Sequence, residues 1–161
     1  MNNDIQRFID AQKKDYEIAL SEIKQGHKEN HWMWYIFPQI LGLGESPMAE
    51  YYEIKGINEG IDYLKNEYLY NNFINICEEL LKLKTDDPQE IFGTIDAMKL
   101  KSSMTLFDYI CELDKNGIDT FQKVLGKYYK GEKDIKTINI NTGKIYNHRK
   151  IKNVINDDLE I

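Results

Sequence analysis

The chain has 161 residues and 19.0 kDa, the length of one domain, and a chain of this size buries about 70% of its unfolded surface without disulfides or a structural metal. At 42% hydrophobic and 30% charged it is globular rather than disordered, and 21 basic against 27 acidic residues, net −6, disfavour a general electrostatic grip on nucleic acid. Ten glycines and three prolines are few for a many-turned β-sandwich, and two cysteines, Cys77 and Cys111, cannot form a disulfide framework or a four-cysteine zinc site.

The opening MNNDIQRFIDAQKKDYEIAL carries charges where a signal peptide would be apolar, and no run approaches the roughly 18 apolar residues of a membrane span. The expectation is a cytoplasmic protein with reduced thiols. Lysine supplies all basic residues but Arg7 and Arg149, and isoleucine, asparagine and tyrosine are abundant, which reads as the coding bias of an AT-rich bacterial genome.

Ile5, Phe8, Ile9, Gln12, Tyr16, Leu20 and Ile23 recur at three- and four-residue steps, predicting a helix over 4–25 with Asp4 as cap and Gly26 as terminator. The aromatic segment after it predicts a helical turn over 32–36, stopped before Pro38, then a loop through Gly44. Ser46-Pro47 is a start signal, with serine as cap and proline in the first turn, for a helix over 48–54 that ends at Gly56. Residues 57–66 read as another short helix, and 67–84 as a long one with Leu69, Phe73, Ile76, Cys77, Leu80 and Leu83 on one stripe. Asp87-Pro88-Gln89-Glu90 resembles a capping box opening a short helix that stops at Gly93. Thr94 is placed to cap a piece through Leu100, Ser102 or Ser103 to start a helix ending near Gly117, and 119–129 to form the last core helix.

This is an all-α domain of seven or eight helices over 1–134. From Ile135 the pattern alternates around Asn141-Thr142-Gly143, which predicts a small β-hairpin in a chemically distinct extension, 135–161, of net charge +2.

Two segments could carry chemistry. In His31-Trp32-Met33-Trp34-Tyr35-Ile36-Phe37-Pro38-Gln39 both tryptophans of the chain sit beside a histidine and ahead of Gly42-Leu43-Gly44-Glu45-Ser46-Pro47. Trp32 or Trp34 could stack a planar ring, Gln39 could read a polar edge, and His31 could act as general acid or base. The Ser46 hydroxyl and the helix start behind it could seat an anion. In the second segment, 96–107, Lys99 with the Ser102 and Ser103 hydroxyls could hold the same anion. The bland readings stand beside these: aromatics as a core plug, serines as ordinary caps, lysines as solvated charges. The histidines at 27, 31 and 148 lack ligand spacing, so no metal is expected. Cofactors are not implied either, and Cys77 and Cys111 fall on apolar stripes suited to inert thiols.

These strings resemble an uncharacterised, mostly bacterial family, domain of unknown function 1810. The resemblance runs in order over residues 5–130. It begins at Arg7-Phe8, Ala11-Gln12, Tyr16, Leu20, Gly26 and Lys28, and takes in the HWMW string, Phe37-Pro38-Gln39, Gly42-Leu43-Gly44, Ser46, Ala49, Tyr52 and Ile54. It ends with Tyr63-Leu64, Ile91-Phe92-Gly93, Asp96, Lys99-Leu100 and Ser102-Ser103-Met104-Thr105-Leu106-Phe107. It implies an all-α fold and brings no activity or catalytic assignment. Gly60 stands where alanine is usual in the family, read as a helix weakening of up to about 1 kcal/mol, and the extension from Ile135 has no counterpart in it.

The leading expectation is a pocket for a small anionic, partly aromatic, nucleotide-like ligand where the two segments meet, with hydrolysis or group transfer as the chemistry if there is any. The alternative is a helical protein–protein interaction module without catalysis.

Overall fold

The computed structural model describes residues 4–141, which form eight helices and no strand among the described residues. α1 (Gln6–Gln25) buries Phe8, Ala11, Ala19, Leu20 and Ile23 along the expected stripe. It begins without a side-chain cap, so Asp4 does not serve as one. It ends as expected at Gly26, whose φ of 80° lets His27 N reach back to the Glu22 carbonyl at 3.0 Å.

One turn, α2 (Met33–Ile36), and the short α3 (Pro47–Tyr52) follow. Ser46 caps α3 as the sequence indicates, its hydroxyl accepting from Ala49 N at 3.1 Å. α3 stops two residues earlier than expected, because Ile54 is drawn into an isolated parallel bridge with Ile40, Leu41 N donating to the Ile54 carbonyl at 2.9 Å and Ile54 N to that of Gln39 at 2.8 Å. The loop between them is therefore closed at its base.

α4 (Ile57–Lys65) and α5 (Glu67–Lys82) meet at Asn66, which caps α5 through Leu69 N at 3.0 Å. α6 (Pro88–Asp114) is two helical runs joined across a kink at Gly93, whose φ of 79° and ψ of 171° lie outside the helical range, so the first run stops there as expected. Asp87 caps it on Gln89 N at 2.9 Å. Beyond Gly93 it runs unbroken, which corrects the expected new start at Ser102 or Ser103: both serines lie in mid-helix and are buried. α7 (Thr120–Tyr129) and α8 (Ile135–Asn141) complete the fold.

The first strand of the expected hairpin is in fact α8. Asp134 accepts from Thr137 N at 3.0 Å, and Thr137, Ile140 and Asn141 are buried on one side. A capped helix packed on α6 satisfies more backbone groups than a two-stranded ribbon alone. The rest of that expectation, 142–161, lies outside the described residues.

α5 and α6 form the centre, with α7 packed across both, α1 against α5, and α4 spanning both. The core is aromatic. Phe73 meets Phe107 edge-on at 4.8 Å and Phe121 at 4.8 Å, and lies 6.1 Å from Phe37. Such pairs add about 0.5–1.5 kcal/mol each beyond burial.

Arg7 ties this core to the 40–54 loop. It makes a bidentate pair with Glu59, both contacts 2.9 Å, and donates to the carbonyls of Tyr51 at 2.8 Å and Glu53 at 2.7 Å. Glu59 also accepts Lys55 N at 2.8 Å. Removing one partner of so buried a pair strands a charge, at a cost of about 3–5 kcal/mol, so this pair holds the loop that carries Gln39 to Ser46.

Candidate functional site

The loop from His27 to Trp32 is organised by one carboxylate on α1. Glu22 accepts from Glu29 N at 2.7 Å, Asn30 N at 3.0 Å, Asn30 Nδ2, and Trp32 Nε1 at 2.9 Å. Burial opposes its ionisation, but the four hydrogen bonds together outweigh burial and hold the carboxyl at about 2. Lys28 N donates to the Ile91 carbonyl at 2.8 Å, fastening the same loop to the first turn of α6.

The two tryptophans are thereby sorted. Trp32 is 1% exposed, donates its indole N–H to Glu22, and packs near Phe37 and Phe92. Its role in the fold is that of a core residue. Trp34, two residues on, is half-buried and keeps part of its ring in solvent. Its neighbour Tyr35 donates its hydroxyl to Asp15, and burial first, then that bond, raises the phenol above its ordinary value.

Two lysines converge on these rings. Lys28 Nζ lies 5.0 Å from the Trp32 ring centroid and Lys99 Nζ 5.9 Å from that of Trp34. Both bind Asp96 of α6, Lys28 at 2.8 Å and Lys99 at 3.6 Å. The Lys28 side chain is 8% exposed and that of Lys99 31%, so Lys99 is the ammonium that a solute could reach.

Gln39 is half-buried and lines, with Trp34, Gly44, Ala49 and Tyr52, a crevice of only about 10 Å³, the room of a single water. The loop above it is tight, since a Cβ on Gly44 would stand 2.5 Å from the Ala49 Cβ.

The remaining expected residues are placed elsewhere. His31 is exposed, its carbonyl 3.4 Å from the Tyr35 hydroxyl. Ser46 is exposed and occupied as the cap of α3. The Ser102 hydroxyl is 3.2 Å from the Met98 carbonyl and 3.1 Å from Asp134, so it joins α8 to α6. Ser103 is 0% exposed. Trp34, Gln39 and Lys99 are thus brought to one surface region, whereas Ser102 is turned into the α6–α8 joint and Ser103 into the interior.

Lys28 and Asp96 adjoin this region but are not among the binding residues that the sequence singles out. The Asp96–Lys99 spacing of one helical turn was a usable signal, whereas the long-range partner Lys28 left none. Both cysteines are buried, and burial is the first cause raising each thiol, Cys111 to about 11, which makes them poor nucleophiles. Among the described residues no group of His, Cys, Asp and Glu could hold a metal ion, and no helix is long and apolar enough to cross a membrane.

The chain is similar to a solved structure, the conserved hypothetical protein Rv1873 from Mycobacterium tuberculosis. The TM-score is 0.78 at 36% identity over 84% of this chain and 94% of that one. No curated protein matches the chain. The model of a family described as protein of unknown function (DUF1810) matches residues 2–140. The chain belongs to the DUF1810 family.

Proposed function

We propose that the protein binds a small anion carrying a planar ring, a nucleotide or nucleotide derivative, at the surface formed by Trp34, Gln39 and Lys99. The observation that carries this reading is the partly open Trp34 ring with the reachable Lys99 ammonium 5.9 Å from its centroid. A ring stacked on an indole is worth about 1–3 kcal/mol, and the ammonium supplies a point charge for a phosphate. The crevice beside Gln39 is too small to enclose a ring, so the ligand lies on the solvent side of Trp34, with Gln39 meeting a polar edge. His31 is exposed in the same segment, and hydrolysis or group transfer with His31 as the general acid or base is the finer reading.

The test is thermal unfolding against nucleotides, nucleotide sugars and cyclic dinucleotides. A bound compound at 100 times its Kd adds about 2.7 kcal/mol. Lys99→Ala should abolish that gain and leave the unliganded protein within about 1 kcal/mol of wild type. His31→Ala should keep binding and remove turnover of any compound found to be converted. A flat response across the panel sinks the reading.

A second reading, a protein partner, is favoured by Ile95 and Met98, one helical turn apart on α6 and 70% and 66% exposed. Substituting both with serine should abolish capture of such a partner and leave the nucleotide response intact.

A further inference from the structure

The charge of this surface is set by three side chains. Lys28 and Lys99 share the two oxygens of one carboxylate, Asp96, and each ammonium also faces an indole. Two lysines against one carboxylate leave one positive charge, placed on the side where Lys99 is reachable. The Glu22 carboxylate, held ionised by four neutral donors at the N–H edge of the buried Trp32, adds a negative charge on the interior side, away from the reachable Lys99.

We infer that Asp96 offsets one of the two lysine charges, leaving the Lys28–Lys99 pair a single positive charge, so that the site favours a ligand group with one negative charge over one with two. Asp96 acts through the lysines: it holds Lys28 against Trp32 and draws Lys99 part-way back from solvent. Without Asp96 the pair would present two positive charges. A doubly charged phosphate monoester would then gain more than a singly charged phosphodiester. The inference rests on the ligand reading above for its consequence, but the charge itself can be measured without any ligand.

Collisional quenching of tryptophan emission provides that measurement. Trp32 is sealed, so iodide, caesium and neutral acrylamide report on Trp34. In wild type, iodide should quench more than caesium once both are normalised to acrylamide. Asp96→Asn should raise the iodide-to-caesium ratio by about twofold at moderate salt, Lys99→Gln should lower it, and Asp96→Glu should restore it. Lys99 is partly exposed, so its variant reads the same charge even where Asp96→Asn folds poorly. A ratio that neither variant moves overturns the assignment.

The second arm titrates wild type and Asp96→Asn with cyclic AMP and AMP, the same ring with one or two charges. Wild type should prefer cyclic AMP, and Asp96→Asn should shift the preference toward AMP by about tenfold. An unchanged preference overturns the selectivity claim. If neither nucleotide binds either protein, the selectivity claim fails, and a flat response across the wider nucleotide panel takes the nucleotide reading with it. A quenching ratio that still responds to Asp96 then shows that the fault lies in the ligand and not in the charge.

Discussion

Glu22→Gln is the substitution whose effect can be worked most fully from the geometry. The carboxylate accepts from two backbone amides, an asparagine side chain and the Trp32 indole. Its acidity is shifted from 4.5 to about 2, and at 1.36 kcal/mol per unit the ionised form contributes about 3 kcal/mol of stability at pH 7. Glutamine keeps the shape but offers one acceptor oxygen in place of two, and it turns an N–H₂ toward existing donors. The loss at pH 7 is expected to be about 3 kcal/mol, a large share of the roughly 5–15 kcal/mol that holds a domain.

The pH dependence gives the sharper signature. A carboxyl whose folded value is depressed stabilises fully above its unfolded value, here 4.5, and loses that contribution as pH falls toward 2. The gap between wild type and Glu22→Gln should therefore be constant from pH 7 to pH 5. It should fall to about half at pH 3 and approach zero near pH 2. Urea unfolding at pH 7, 5 and 3, followed by tryptophan emission, measures it. A gap below about 0.5 kcal/mol at pH 7, or one that does not shrink in acid, refutes the reasoning.

Two glycine substitutions test the packing. Gly93→Ala should destabilise by about 2 kcal/mol although a Cβ there would meet nothing within 4 Å, because φ 79° with ψ 171° is a conformation only glycine holds without strain; denaturant midpoints decide it, and a neutral result contradicts the backbone argument. Gly60→Ala should lose about 1 kcal/mol rather than show the gain expected from helix propensity, since the new Cβ would stand 2.3 Å from the Ile110 Cδ1. Ile110→Val in the same chain should recover the loss, and additive effects in the double-mutant cycle would count against the contact.

Gly60 also illustrates where reading the sequence succeeds and where it stops. Local rules covered α1, α5 and α7, the Gly26 terminator, the Ser46-Pro47 start and the break at Gly93, because periodicity and caps act over a few residues. Gly60 looked like a weakness in a helix, and only its contact with Ile110, fifty positions away, shows it as a requirement of packing. Ser102 and Ser103 looked like a helix start, since a serine pair favours caps. Asp134, distant in sequence, engages the Ser102 hydroxyl from α8 and leaves it in mid-helix. The alternation after Ile135 suggested a strand, and the Asp134 cap with burial against α6 made a helix of it. At the candidate site the residue types were legible but their exposure was not. Trp32 and Trp34 are equivalent as letters, and only the Glu22 carboxylate beneath Trp32 assigns one to the core and leaves the other partly open.

The central claim is that a planar anion stacks on Trp34 beside Lys99. The most direct measurement is a tryptophan-emission titration with cyclic AMP and the wider nucleotide panel, run on wild type and Lys99→Ala. The account predicts a saturable change in wild type and its loss in Lys99→Ala, with unfolding midpoints of the two unliganded proteins close together. No saturable change with any compound, or an equal change in both proteins, would contradict it.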